Sequence, residues 1–218
     1  MTSTRPHGML FVASDIKVED EADFNAWYDR EHIEERVRMD GVISAARYCA
    51  VSGRPKYLGL YWAETIFAFD SPAYAHAFQN QTDWSRKTLP KMVAPTRRIG
   101  EVGASVGQGS GAYVATLPLD VLEDHQALTD RCAEVGARLS EDLGFVHSYL
   151  LSPIDELSRS LPQEDLSTRR MYPIFIIESS SAMSNEAALE FAAKALDSRI
   201  SEAARYSLTW KLSATELV

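Results

Sequence analysis

The stretch GEVGASVGQGSG, residues 100–111, decides how the rest of the chain is read. It holds five glycines, two serines and no large side chain. Such a composition predicts a flexible connector. It divides 218 residues into nearly equal halves, so an internal repeat is the first pattern to seek.

Working outward, the first half opens with an apolar, β-branched run at residues 9–18 that reads as a strand. Residues 21–38 carry a helical pattern with Asp23 as a cap or first-turn carboxylate, and Asp40–Gly41 stops it. Two strands follow at 42–51 and 56–65, joined by the turn-former cluster SGRP as a hairpin. Ser71–Pro72 starts a second helix over 71–89, and APTRRIGEV at 94–102 is a candidate fourth strand. The second half repeats the order. Strands are expected at 111–119, 145–153, 170–180 and 204–214. Helices are expected over 121–142 and 185–198, the latter capped near Ser184 or Asn185, with a polar excursion at 153–168. Each half therefore reads β-α-β-β-α-β, a ferredoxin-like arrangement.

The expected fold is α+β: two tandem ferredoxin-like repeats, residues 1–105 and 106–218, forming an intramolecular α/β-barrel. A four-stranded sheet with both helices on one face leaves the other face bare, and a tandem copy covers it. A cavity between the opposed sheets is then the natural ligand site.

Composition narrows the function classes. Hydrophobic residues make up 45% and charged residues 24%, as in globular proteins. A net charge of −9 and a pI near 5.1 argue against a nucleic-acid surface and against docking on anionic lipid. They leave a small anionic substrate open, because local charge can oppose net charge. Cys49 and Cys132 form no disulfide framework and have no metal-ligand spacing. The N-terminus lacks the apolar core of a signal peptide, and no apolar run approaches the roughly 20 residues that span a bilayer. A cytoplasmic protein with a small-molecule substrate is expected, and the whole chain could form a homodimer.

Residues 24–62, FNAWYDREHIEERVRMDGVISAARYCAVSGRPKYLGLYW, resemble the EthD-like branch of the dimeric α/β-barrel superfamily. The resemblance rests on Trp27, Tyr28, Glu31, His32, Ile33, Gly41, Arg47, Tyr48, Lys56, Tyr57 and Leu58, about a fifth of the chain. Glu34 stands where the family commonly has proline, so the helix can run on. The second half lacks the motif: nine residues before Gly144 stands Val135, with no Trp-Tyr pair nearby. The resemblance thus implies one functional half and one scaffold half. It also implies small enzymes that act on cyclic or aromatic molecules without a metal, and relatives of unassigned activity. Haem is not excluded, because some barrel relatives bind it through a histidine.

On the first helix, Phe24, Trp27, Tyr28, Glu31 and Glu35 cluster on one side, His32 lies at the edge, and Ile33 falls on the far side. One reading makes the aromatics core, with Glu31 and His32 capping the last turn. The functional reading makes His32 an acid or base, Glu31 its orienting partner, and Tyr28 a donor to a developing oxyanion. Trp27 is a substrate contact or pure packing. Arg47 binds a substrate carboxylate or pairs with a surface acid. Alternation puts Tyr57, Gly59 and Tyr61 on one strand face and Leu58, Leu60 and Trp62 on the other. Tyr57 and Trp62 are candidate substrate contacts, and so is His147 from the second half, where a satisfied core histidine competes. No dinucleotide, P-loop, nucleophile-elbow or zinc-protease motif occurs, so no cofactor or metal is expected. The expected function is a metal-free enzyme working on a small cyclic or aromatic carbonyl or lactone by general acid–base catalysis, of isomerase, lyase or dehydratase type. The alternatives are a non-catalytic binding or accessory protein and a haem-dependent oxidative enzyme.

Overall fold

A computed structural model describes residues 7–120 and 124–218. Eight strands form one closed antiparallel barrel: β1 (Gly8–Ile16), β2 (Val42–Ser52), β3 (Tyr57–Ala63), β4 (Met92–Gly107), β5 (Tyr113–Pro118), β6 (Phe145–Pro153), β7 (Ile174–Ser179) and β8 (Ala204–Ser213). Around it the order is β1-β3-β2-β8-β5-β7-β6-β4, closing on β1. The first half contributes β4-β1-β3-β2 and the second β8-β5-β7-β6, the same order within each half. The halves join at two seams, β2 on β8 and β4 on β6.

Helices pack outside. They are α1 (Glu21–Trp27), α2 (Ile33–Val37), α3 (Pro72–Gln79), α4 (Asp83–Thr88), α5 (His125–Leu139) and α6 (Ala182–Ala195). The second-half helix expected over 121–142 begins at His125 with Asp124 capping Ala127 N–H, while its first positions, 121–123, lie outside the described residues. The helix expected over 71–89 is broken into α3 and α4. Thr82 caps Ser85 N–H and so opens a new helix. Helix α6 is capped by Ser181, three residues before Ser184. No helix among the described residues is long and apolar enough to cross a membrane.

Residues 100–107 are not a connector. They are the second half of the 16-residue strand β4. The glycines there serve close approach: a Cβ on Gly100 would lie 2.0 Å from the Ser152 carbonyl oxygen of β6. The polar excursion before β7 is tied down by buried Arg98, which pairs with Glu164 and donates to the Arg170 carbonyl.

The barrel interior is packed, not hollow. Met9, Phe11, Leu58, Leu60, Tyr48, Tyr149, Leu151, Ile176 and Tyr206 fill it, all nearly or fully buried. The expected cavity between opposed sheets is therefore filled by side chains, as the interior of a small barrel permits. Two further clusters lie outside the barrel, one under α1 and α2, the other under α5 and α6.

Candidate functional site

Between α1 and α2 the chain makes a π-helical turn, Tyr28–His32. Its wider turn resets the phase of the helix, so Ile33, Arg36 and Val37 join the buried side. This explains why Ile33, which falls on the far side of a uniform α-helix, is fully buried. It also carries His32 from the edge of the stripe into the core, where it is 8% exposed.

The imidazole of His32 stacks on Trp27 at 4.1 Å between ring centroids, and Tyr28 meets it edge-on at 5.2 Å. Trp27 is held by its indole N–H donating to Ser85 Oγ at 3.1 Å. The Nδ1 atom of His32 is buried and has no hydrogen-bond partner among the described residues. Burial first, then the nearby Arg36 and Arg47 guanidinium groups, hold the imidazole pKa well below 6.5. His32 is therefore neutral at pH 7. Burial raises the Tyr28 pKa, so its phenol stays protonated.

His32 lines a cavity of about 30 Å³ with Tyr28, Arg36, Tyr74, Phe78 and Arg97. Beyond Tyr74, Phe78 and Arg97 lies a second hollow of about 140 Å³. Arg97 is buried, donates to Tyr74 Oη at 2.9 Å and to two backbone carbonyls, and covers the Phe78 ring at 4.8 Å. Arg36 donates to Gln81 Oε1 at 3.3 Å. Neither arginine makes an ion pair among the described residues. Two guanidinium groups beside a neutral imidazole can stabilise an anion formed by proton loss.

The candidates read from the sequence separate into distinct places. Tyr28 and His32 share this cavity, and Trp27 supports it from behind. Glu31 does not orient His32: its carboxylate accepts from Thr82 Oγ1 at 2.7 Å, the residue that caps α4. Arg47 is not free for a substrate carboxylate. It donates to Asp29 at 2.8 Å and Asn25 at 2.6 Å while its guanidinium lies 4.4 Å from the Tyr28 ring. The Tyr57 hydroxyl donates to Glu21 in a surface network. Trp62 and His147 lie together at one end of the barrel, their rings 6.0 Å apart, facing a separate cavity. One cavity shared by His32, Tyr57 and His147 does not exist, because β3 alternation sends Tyr57 and Trp62 to opposite faces of the barrel wall.

Arg36, Tyr74 and Arg97 were not among the candidates. Arg36 stands at i+4 from His32, a spacing that pairs residues on one helix face. Arg97 is a charged residue between the apolar positions of a core-facing strand, opposite Val12. The Arg36 spacing is legible in the sequence; that Arg97 reaches the same cavity is not, because barrel closure brings it there. Tyr74 gave none.

A closed eight-stranded antiparallel barrel with helices on its outside is the fold of the dimeric α/β barrels, here completed within one chain. The solved structures it resembles include an anthrone oxidase-like protein, at 12% identity and TM-score 0.66, over 99% of this chain and 96% of that one. A candidate monooxygenase of Fusobacterium nucleatum matches at 11% identity and TM-score 0.56, over 96% and 95% of the two chains. A mutant chlorite dismutase of Candidatus Nitrospira defluvii, in complex with cyanide, matches at 11% identity and TM-score 0.55, over 94% and 91%. Identities this low establish the fold alone. No family model matches the sequence, and no curated protein matches it.

In this closed arrangement haem has no room beside His32. The imidazole is sandwiched against Trp27, and the adjoining space of about 30 Å³ is near the size of one water. His147 has its Nε2 engaged by Ser105 Oγ at 2.8 Å.

Proposed function

We propose that this chain is an enzyme that removes a proton from a small cyclic or aromatic carbonyl compound or phenol, with His32 as a neutral base and no metal. The observation that carries this reading is a buried imidazole, unpaired at Nδ1 among the described residues, lining a cavity with Arg36 and Arg97. Proton transfer to His32 leaves an enolate or phenolate on the substrate. The two guanidinium groups and the Tyr28 hydroxyl then hold that charge in a site closed to water. Burial, Arg36 and Arg47 disfavour the imidazolium, so the proton is held briefly and passed on.

Substrate entry requires α3 to move. This helix buries only Tyr74, and shifting it merges the two hollows on either side of Tyr74 and Phe78. Ligand pockets for small organic molecules run from roughly 300 Å³ upward, which the closed arrangement does not reach.

The anion can be reprotonated elsewhere, as in an isomerase, or expel a leaving group, as in a lyase or dehydratase. A second reading gives it to dioxygen. The names of the structural neighbours, anthrone oxidase-like and monooxygenase, favour that fate. An anthrone CH₂ would become a carbonyl, with one oxygen retained and the other leaving as water. We also read residues 1–105 and 106–218 as two copies of one ferredoxin-like unit, the first bearing the site and the second closing the barrel. The identical strand order in each half supports this.

The test is turnover of a panel of anthrones, phenols and lactones under air and under argon. Product formation is expected to fall at least about 100-fold in His32→Gln, the range general-base removal gives. Unchanged turnover in that variant overturns the assignment. Ligand binding that survives it, with no product in the wild type, favours an accessory role. A Soret band in the purified protein favours the haem-dependent reading.

A further inference from the structure

The barrel end that holds Trp62 and His147 carries a second set of reactive groups. Strand β4 slips its register on β6 between Gly103 and Val106, a β-bulge, and inside it Ala104 adopts φ +48°. A non-glycine residue in the left-handed region is uncommon, and bulges re-aim side chains at working sites. Here the bulge presents Ser105, exposed, to β6. Ser105 Oγ lies 2.8 Å from His147 Nε2. A hydroxyl nucleophile with a base in hydrogen-bond contact is the pair that makes an activated hydroxyl.

The surroundings are built to hold this pair. The buried carboxylate of Glu178 accepts from Gly111 N–H at 2.7 Å and Tyr149 Oη–H at 2.9 Å, pinning the loop after β4 onto the barrel. Burial lowers the His147 pKa, which favours the neutral imidazole, the form that can act as a base. Trp62, Ser105, His147, Ser110 and Lys211 line a cavity of about 370 Å³. Lys211 Nζ donates to Ser110 Oγ at 2.6 Å and is the cation of this cavity.

We propose that Ser105 and His147 form a nucleophile–base pair that transfers the acyl group of a small ester, with the acyl or alcohol portion lying against Trp62. The Ser105 hydroxyl gives its proton to His147 Nε2 as Oγ bonds to the acyl carbon. The carbonyl electron pair moves to oxygen, and Lys211 supplies the positive charge facing it. When that pair returns, the ester C–O bond breaks, and His147 hands its proton to the departing alcohol. Water, deprotonated by His147, then releases the acyl group as a carboxylic acid and restores Ser105. The sum is ester plus water to acid plus alcohol, with no oxidant or metal. This activity is independent of the reading of His32.

A fluorophosphonate probe incubated with the full chain tests it, with the adduct located by peptide mass spectrometry. The expected result is an adduct on Ser105, absent in Ser105→Ala and formed at least 100-fold more slowly in His147→Gln. Hydrolysis of phenyl acetate should follow the same order. Ser105 is exposed, so Ser105→Ala keeps the fold and its loss of hydrolysis reads chemistry. No adduct on Ser105 in the wild-type protein overturns the proposal, as does labelling at an equal rate in a folded His147→Gln protein.

Discussion

His32 sits where an imidazolium is costly to form, and this has a consequence apart from catalysis. Its folded pKa is depressed by burial first and by Arg36 and Arg47 next, while the unfolded chain titrates near 6.5. Below that pH the unfolded state binds a proton that the native state refuses, so stability falls as pH drops through the ordinary imidazole range. Above it the contribution is fully present. Denaturant titrations at several pH values check this: the wild type should lose more stability than His32→Gln between pH 7 and pH 5. Arg47 gives a second residue-scale expectation. Its two hydrogen bonds to Asp29 and Asn25 make it structural, so Arg47→Ala should cost about 2–3 kcal/mol in urea unfolding. The affinity of the folded variant for substrate should be unaltered.

At the scale of elements, the π-turn and the long strand β4 show what local pattern can and cannot reveal. Strand β6 was expected at 145–153 and is found there, because alternating apolar residues bounded by glycine and proline encode it locally. The motif residues Tyr28 and His32 were legible as site candidates for the same reason: they sit together on one helical segment. The partner Arg97 was not, since it arrives from a strand some 60 residues away through barrel closure. The π-turn is hidden because a uniform 100° step per residue cannot register one wider turn, so a uniform helix puts Ile33 on the far side while the structure buries it. The strand at residues 100–107 is illegible for a different reason. Glycine and serine read as freedom when the neighbour that needs their smallness, β6, is far along the chain. This predicts a contrast. Gly100→Ala drives a Cβ into Ser152 and should cost about 2–3 kcal/mol. In Gly103→Ala the new Cβ meets Thr129 Cγ2 at an ordinary 3.6 Å, and stability should shift by less than about 0.5 kcal/mol. A flexible connector would give little change at either position.

The whole molecule is held by its two inter-half seams and by an interior to which both halves contribute. Neither half can cover its inner sheet face alone. Thermal unfolding should therefore be a single cooperative transition with matching calorimetric and van't Hoff enthalpies, and residues 1–105 expressed alone should be insoluble or unfolded. Two separated transitions would show instead that the halves are independent domains. Closure also explains why the candidate sites lie outside the barrel interior: with the interior filled, the remaining space is under the helices and at the ends. The role proposed for the pocket under α1 and α2 is proton abstraction. Its most direct test is proton-to-deuteron exchange at the acidic CH₂ of cyclic aromatic ketones in D₂O under argon, followed by NMR. The wild-type protein should accelerate exchange at least about 100-fold over buffer for a member of that class, and His32→Gln should abolish the acceleration. Exchange at the buffer rate with every ketone, or acceleration that persists in His32→Gln, would contradict it.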